Sequence, residues 1–493
     1  MNLFADCLAY QEEVRDPSRI AETLNRVILQ AKRASGPAQI NIPRDFWTQV
    51  IDIELPKVVE FERPSGGADA LKQAAELLSN AKFPVILNGA GVVLSSGIPA
   101  SAALAERLDA PVCCGYQHND AFPGNHPLFA GPLGYNGSKA GMELISKADV
   151  VLALGTRLNP FSTLPGYGMD YWPKDASIIQ VDMNSDRIGL TKKVTVGICG
   201  DAKLVSQQIL AQLSPTAGDT NREERKNTIH QTKSAWLQEL SSLDHEDDDE
   251  GTVWNAEARK RDADRMSPRE AWRAIQAGMP DDVIISSDIG NNCAIGNAYP
   301  TFEKPRKYLA PGLFGPCGYG FPAILGAKIG CPDTPVIGFA GDGAFGISMN
   351  EMSSCAREEW PAITMVIFRN YQWGAEKRNT TLWYDDNFVG TELDPELSYA
   401  KVADACGLKG VSVRTMEETT AAPNKTMFER FEGDKGKTKI WLEKDGRLMS
   451  HMPPEDYHKE IQPISRVRSE QSYSKDKVSF GNRRGHMLEK LLD

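Results

Sequence analysis

The chain has 493 residues, 41% of them hydrophobic and 25% charged, which suits a globular protein of two to four domains with ample length for real cores. A formal net charge of −11 argues against a nucleic-acid or polyanionic-membrane partner. No run approaches the ~20 consecutive apolar residues of a membrane span, and the first residues carry neither the basic nor the apolar region of a signal peptide, so the expected compartment is the cytoplasm.

Residues 17–34 read as an amphipathic helix with Ile20, Leu24, Val27, Ile28 and Ala31 on one face. Ser35-Gly36-Pro37 stops it, and residues 38–42 read as a strand before Pro43. One helix and one strand bury no core, so residues 1–55 read as the tail of a domain whose partners lie elsewhere. Over 66–213 helix and strand alternate, with helices at 70–78 and 99–108 and buried strands at 83–87, 150–154 and 178–181. That alternation predicts an α/β domain built on a doubly wound parallel sheet. Gly89-x-Gly91 lacks the third glycine and the downstream acidic residue of a dinucleotide fingerprint, so a tight turn is expected there.

The nine cysteines are scattered and never spaced as CxxC, which suits a reducing compartment better than a disulfide framework or a zinc site. Neighbours Cys113 and Cys114 read as core. A long loop from Gln117 to Phe129 holds His118, a structural or solvated histidine on one reading and a catalytic one on the other. Residues 214–265 read as an acidic linker. Its run 244–250 lacks the glycine and spacing of a calcium loop and reads as a solvated surface.

A third domain is expected over 266–418. Ser267 caps a helix at 268–277, and a buried strand at 283–286 ends in Ser287-Asp288-Ile289-Gly290-Asn291-Asn292. Residues 312–323 are dense in glycine, which lets backbone lie against a ligand. A strand at 336–340 is then broken by Gly341-Asp342-Gly343, a helix follows to 356, and a second apolar strand at 363–368 ends at Arg369-Asn370. In a parallel sheet both strands finish at one edge, so Asp342 and Asn370 are expected side by side. Their oxygens are hard ligands that suit Mg²⁺, and the helix opened by Gly341, Gly343 and Ala344 offers N–H groups to phosphate. The stretch predicts a metal–diphosphate cradle. A helix at 398–406 and a strand at 410–413 follow. Beyond Thr419 the chain turns polar and lysine-rich, with Pro423 in the way of a further helix and one strand candidate at 439–442. Residues 419–493 are expected to be a poorly ordered tail.

The pattern Gly341-Asp342-Gly343, helix, strand, Asn370-x-Gln372-x-Gly374 resembles the thiamine diphosphate signature of the acetolactate synthase-like enzymes. The segments VCCGYQHNDAFPGNHPLF, DIGNNCAIGNAYP and FRNYQWGAEKRNTTLWYDDNFVGTEL are similar, more narrowly, to the sulfoacetaldehyde acetyltransferase family, and the likeness covers most of residues 1–418. It implies doubly wound α/β domains of the thiamine diphosphate-binding type. By position, Asp342, Asn370 and the backbone carbonyl of Gln372 are the Mg²⁺ ligands, Asn291 and Asn292 donate to the diphosphate, and Cys317 stands where the backbone accepts from the cofactor's amino group. Lys377 and Arg378 fall near the reactive end, as clamps for anionic substrates or as a solvated turn. The activity implied is conversion of sulfoacetaldehyde and phosphate to acetyl phosphate and sulfite in organosulfonate catabolism. A 2-oxo acid ligase or decarboxylase like acetolactate synthase, and a non-catalytic cofactor-binding protein, stay open. The family's site lies between two subunits, so a homodimer or homotetramer is implied. Residues 1–55 resemble the end of the family's pyrimidine-binding domain. The preceding part, which carries a Glu that hydrogen-bonds the cofactor, is not in this sequence, so weak activity is expected of the chain as it stands.

Overall fold

The computed structural model describes residues 2–34, 36–57, 62–242, 268–312, 314–357, 361–413 and 440–445. At the N-terminus β1 (Tyr10–Glu13) lies parallel to β2 (Ala38–Asn41), with Tyr10 opposite Ala38. A short 3₁₀ turn, Pro17–Arg19, capped by Asp16 accepting from the Ser18 N–H at 2.9 Å, leads into the helix Ile20–Ala34. That helix buries Thr23 and Val27 but leaves Leu24 and Ile28 exposed, because a two-stranded sheet cannot cover its whole apolar face. β1 was not expected. Its sequence, Tyr-Gln-Glu-Glu, has no apolar alternation.

The middle domain is a six-stranded parallel sheet of β3 (Pro84–Asn88), β4 (Val112–Cys114), β5 (Phe129–Pro132), β6 (Val150–Leu154), β7 (Ser177–Asp182) and β8 (Val196–Cys199). Spatially they run β5-β4-β3-β6-β7-β8, the order of a doubly wound fold. β3 and β6 are buried on both faces, which is why they read as continuous apolar runs. Ile86 and Leu152 pack under helices Ala68–Asn80, Ile98–Leu108 and Ala202–Gln212, while Val85, Leu87 and Cys113 face the other layer with Met142 and Ile145. The turn after β3 packs closely on the one after β6. A Cβ on Gly91 would fall 2.5 Å from the Gly155 Cα.

The stretch read as a linker is in part this domain's own structure. The 21-residue helix Arg222–Ser242 lies on the second layer, with Ile229 in the core and Lys139 paired to Glu239 at 2.6 Å. Its Arg225, 1% exposed, donates to the backbone carbonyls of Lys82, Leu108, Asp109, Gly218 and Thr220. Polar residues spread around the whole helix hid it from periodicity. Ser267 and the acidic run 244–250 lie outside the described residues.

The C-terminal domain is also a six-stranded parallel sheet, of β9 (Ile284–Ser287), β10 (Tyr308–Leu309), β11 (Val336–Gly341), β12 (Thr364–Arg369), β13 (Lys409–Val413) and β14 (Ile440–Asp445), in the order β10-β9-β11-β12-β14-β13. Trp272, Ile285, Phe339 and Phe368 form the core on one face, and Phe321, Ile324, Phe345 and Ile367 on the other. The helix after Gly341 is broken into Asp342–Ser348, a 3₁₀ turn Met349–Glu351 and Met352–Cys355, rather than continuous to 356. The tail expectation also needs correction. β14 inserts between β12 and β13, with Ile440 paired to both Thr364 and Lys409. A six-residue strand in a long polar stretch is a weak signal, and only the sheet shows that two neighbours lack a strand between them. The remaining residues beyond 413 lie outside the description.

Candidate cofactor and active site

β11 and β12 pair Gly341 with Phe368, so the residues that follow them meet at one edge of the sheet. The Asp342 carboxylate accepts from the N–H groups of Asn370 at 3.2 Å, Tyr371 at 2.7 Å and Gly343 at 3.1 Å. Tyr371 takes a left-handed φ of 59°, and the Asn370 side-chain oxygen accepts from the Gln372 N–H at 3.2 Å. Tyr399 donates to the Asp342 carbonyl at 2.8 Å and fixes the turn from behind. Asp342 is 2% exposed, and burial, which outweighs these N–H groups, pushes its carboxyl up to about 7. A divalent cation beside it would reverse that balance. Among the described residues no cluster of three His, Cys, Asp or Glu side chains is placed to hold a metal. One carboxylate plus neutral oxygens suits Mg²⁺ when phosphate supplies the other ligands.

A second arm comes from β9. Gly290, with φ of 89°, turns the chain into helix Asn291–Ala298, which Asn291 and Asn292 open. The Asn292 side-chain oxygen is buried without a hydrogen-bond partner among the described residues. A Cβ on Gly374 would lie 2.7 Å from the Asn370 Nδ2 and 2.9 Å from the Asn291 Nδ2, so two amides converge on space that only glycine leaves open. The Trp373 ring closes over Gly343 in the same way. The convergent Asn370 and Asn291 amide nitrogens, a glycine cradle and one carboxylate fit a diphosphate carrying a divalent cation, and the unpartnered Asn292 oxygen, an acceptor, suits a donor or cation on that ligand.

These residues share a cavity of about 340 Å³. Asn291, Asn292 and Cys317 line it, with Gly341, Asp342, Gly343 and Ala344 below and Asn370 and Gln372 beside them. The structure therefore brings together every residue proposed for cofactor or metal. It does not do so for the catalytic candidates. His118 is half-buried beside Gly115 and Arg157 and is not in the cavity wall. Lys377 pairs with Glu392 at 2.5 Å and sits 5.0 Å over the Phe388 ring. The side chain of Arg378 lies outside the described residues, and that helix, Gly374–Trp383, presents Ala375, Glu376 and Asn379 to the cavity.

From the middle domain, sequence reading named His118 and missed the aromatic residues that line the cavity. Tyr116, Tyr135 and Phe161 line the same cavity, with Tyr116 and Phe161 stacked at 6.1 Å. Tyr116 arrives because the adjoining loop that holds His118 docks on helix Asn291–Ala298, and Tyr135 because its carbonyl accepts from Asn297 Nδ2 at 2.8 Å. The Tyr116 hydroxyl lies 2.6 Å from the Cys293 Sγ, Gln117 Nε2 donates to that sulfur at 2.8 Å, and Asn119 donates to the carbonyls of Gly296, Asn297 and Pro300. Nothing in local spacing signals contacts between positions 177 residues apart, such as Tyr116 and Cys293.

Comparison with known proteins agrees with this geometry. Residues 71–210 match the family described as thiamine pyrophosphate enzyme, central domain, and residues 288–435 match thiamine pyrophosphate enzyme, C-terminal TPP binding domain. Over 433 residues the chain is 76% identical to the probable sulfoacetaldehyde acetyltransferase of Rhizobium meliloti, covering 88% of this chain and 73% of that one. It is 68% identical, with the same coverage, to the sulfoacetaldehyde acetyltransferase of Rhodobacter capsulatus. The probable acetolactate synthase large subunit of Methanocaldococcus jannaschii is 28% identical, over 85% of this chain and 69% of its own length. The chain belongs to the thiamine pyrophosphate (thiamine diphosphate) enzymes, within the sulfoacetaldehyde acetyltransferase family.

Proposed function

We propose that the chain is a thiamine diphosphate- and Mg²⁺-dependent acyltransferase that converts sulfoacetaldehyde and phosphate to acetyl phosphate and sulfite. The observation that carries this is the meeting of Asp342, Asn370 and Asn291 around one glycine-lined cavity, in a chain 76% identical to a probable enzyme of that name. Bound thiamine diphosphate supplies a carbon nucleophile on its thiazolium ring. The Asp342 carboxylate, the Asn370 side-chain oxygen and the Gln372 carbonyl would hold Mg²⁺, while the Asn291 and Asn292 amide nitrogens and the Ala344 N–H group would take the phosphate oxygens, the Gly343 N–H being held by the Asp342 carboxylate. Tyr116, Tyr135 and Phe161 would exclude water from the cavity's middle-domain side.

Lys377 suits an anionic substrate because its present partner is weakly held. Glu392 is mostly exposed, and such a pair contributes only ~0–1 kcal/mol, so a sulfonate or phosphate can replace it at little cost. His118 and Arg378 are further catalytic candidates. A homodimer or homotetramer belongs to the same reading. We place the protein in the cytoplasm, and no helix among the described residues is long and apolar enough to cross a membrane. Sulfite release and acetyl phosphate formation from sulfoacetaldehyde plus phosphate, measured beside acetolactate formation from pyruvate, test the reading. Product from pyruvate alone would transfer the chain to the acetolactate synthase type.

A further inference from the structure

Asp288 has no place in the cavity wall, yet it is 0% exposed and stands directly behind it. It follows the last residue of β9, and its carboxylate accepts from three backbone N–H groups: Ile289 at 2.8 Å, Gly318 at 3.0 Å and Gly320 at 2.7 Å. The last two belong to the glycine-rich turn at 312–320, whose Gly315 and Cys317 line the cavity. The described residues of that turn have few side-chain anchors. Gly312, Gly315 and Gly318 all have positive φ, a Cβ on Gly312 would meet nothing within 4 Å, and Phe314 is 93% exposed. What fixes it on the inner side is contact with Ile289 and Ile347 and the amides gathered by Asp288. Gly320 is fitted to the same carboxylate, since a Cβ there would fall 3.1 Å from the Asp288 Oδ2.

Burying a carboxylate is costly unless hydrogen bonds offset it, so a neutral or apolar residue would serve a plain core better. A carboxylate differs in presenting acceptors on both oxygens, and here both are used by backbone amides. We propose that Asp288 is a positioning residue, which holds the turn at 315–320 through the Gly318 and Gly320 amides so that Gly315 and Cys317 form a fixed wall of the cofactor cavity. The cofactor's part in this rests on the reading of the cavity as the thiamine diphosphate site. The holding of the turn does not.

Cys317 lies in that wall, and Cys331, at the far end of the helix Gly320–Gly330, serves as an internal reference; both thiols are exposed, so their ratio reads how firmly the turn holds Cys317 rather than access alone. The measurement is the iodoacetamide alkylation rate of Cys317 relative to Cys331 in the cofactor-free full chain, followed by peptide mass spectrometry. Asp288→Asn replaces one acceptor by a donor that must face an N–H, and orphans at least one amide. Its expected effect is a Cys317/Cys331 ratio raised about two- to threefold, since an exposed thiol has little access left to gain, with a loss of affinity for thiamine diphosphate plus Mg²⁺ on the order of tenfold. Loss of the Asp288 charge would also ease ionisation of the Cys317 thiol, so Gly320→Ala, which displaces the carboxylate and keeps its charge, must raise the ratio as well. Protection of Cys355, buried in the core of the same domain, shows that each variant is folded.

Failure of the wild type to bind thiamine diphosphate and Mg²⁺ would remove the assignment of the cavity, while a raised ratio would still support the holding of the turn. Unchanged ratios in both variants would overturn the proposal. So would a raised ratio in Asp288→Asn alone, which would reduce the effect to charge. Loss of fold in both variants would make Asp288 a folding residue and overturn it equally.

Discussion

His118 sits beside Gly115 and Arg157, and burial, reinforced by the nearby guanidinium, pushes its imidazole down to about 4. The unfolded chain takes up this proton near the ordinary value of about 6.5, whereas the folded one refuses it until about pH 4. Its contribution to stability is therefore complete above pH ~6.5 and is lost as the pH falls towards 4. Denaturant midpoints at pH 7 and pH 4.5 should differ less in His118→Gln than in the wild type, and equal differences would show that His118 does not stay neutral. Lys377 carries a different prediction. With Glu392 a largely exposed partner, Lys377→Met should leave cofactor affinity within about twofold and stability within ~0.5 kcal/mol. It should raise KM for phosphate or sulfoacetaldehyde by about tenfold, as loss of a charge-assisted contact would. Unchanged KM for both would take Lys377 out of the site. Steady-state kinetics with each substrate varied in turn decides it.

At the scale of elements, the helix Arg222–Ser242 depends on one side chain to a degree its sequence does not suggest. Arg225 satisfies five backbone carbonyls, and Arg225→Met leaves them without their partner. At ~1–3 kcal/mol for each buried group left unsatisfied, a loss of at least 3 kcal/mol is expected. The helix should then become the first site of trypsin cleavage, and a variant as resistant as the wild type would show that packing by residues such as Ile229 holds the helix instead. β14 is testable through its backbone. Paired on both sides, the amides of residues 440–445 should exchange with solvent as slowly as those of β12. Fast exchange there would mean that β12 is the sheet's edge. Nothing in the sequence signalled the helix, and the strand was legible only as a candidate at 439–442 without its place in the sheet. The helix has polar residues around its whole circumference, and β14 is a short strand placed by neighbours distant in sequence. β11 and β12 were legible because strands buried on both faces are unbroken apolar runs, and Gly341 and Asn370 mark where they stop.

For the molecule as a whole, the cavity is assembled from two domains, and the sequence disclosed their contributions unequally. The C-terminal side was legible residue by residue, since Asp342, Asn370 and Gln372 sit at strand ends whose spacing puts them at one sheet edge. The aromatic side was not, because Tyr116, Tyr135 and Phe161 come from separate loops that meet only once the middle-domain loop has docked on helix Asn291–Ala298 through Gln117 and Asn119. The account's central claim is that Asp342 and its neighbours hold a metal–diphosphate group in this cavity. Isothermal titration calorimetry of thiamine diphosphate with Mg²⁺ into the wild type and Asp342→Asn measures it most directly. The variant keeps the side chain's size and removes its charge, so affinity should fall by at least ~100-fold, with the unfolding midpoint of the cofactor-free protein unchanged or raised, because a costly buried carboxyl has been removed. Equal affinity in the two proteins would contradict the claim.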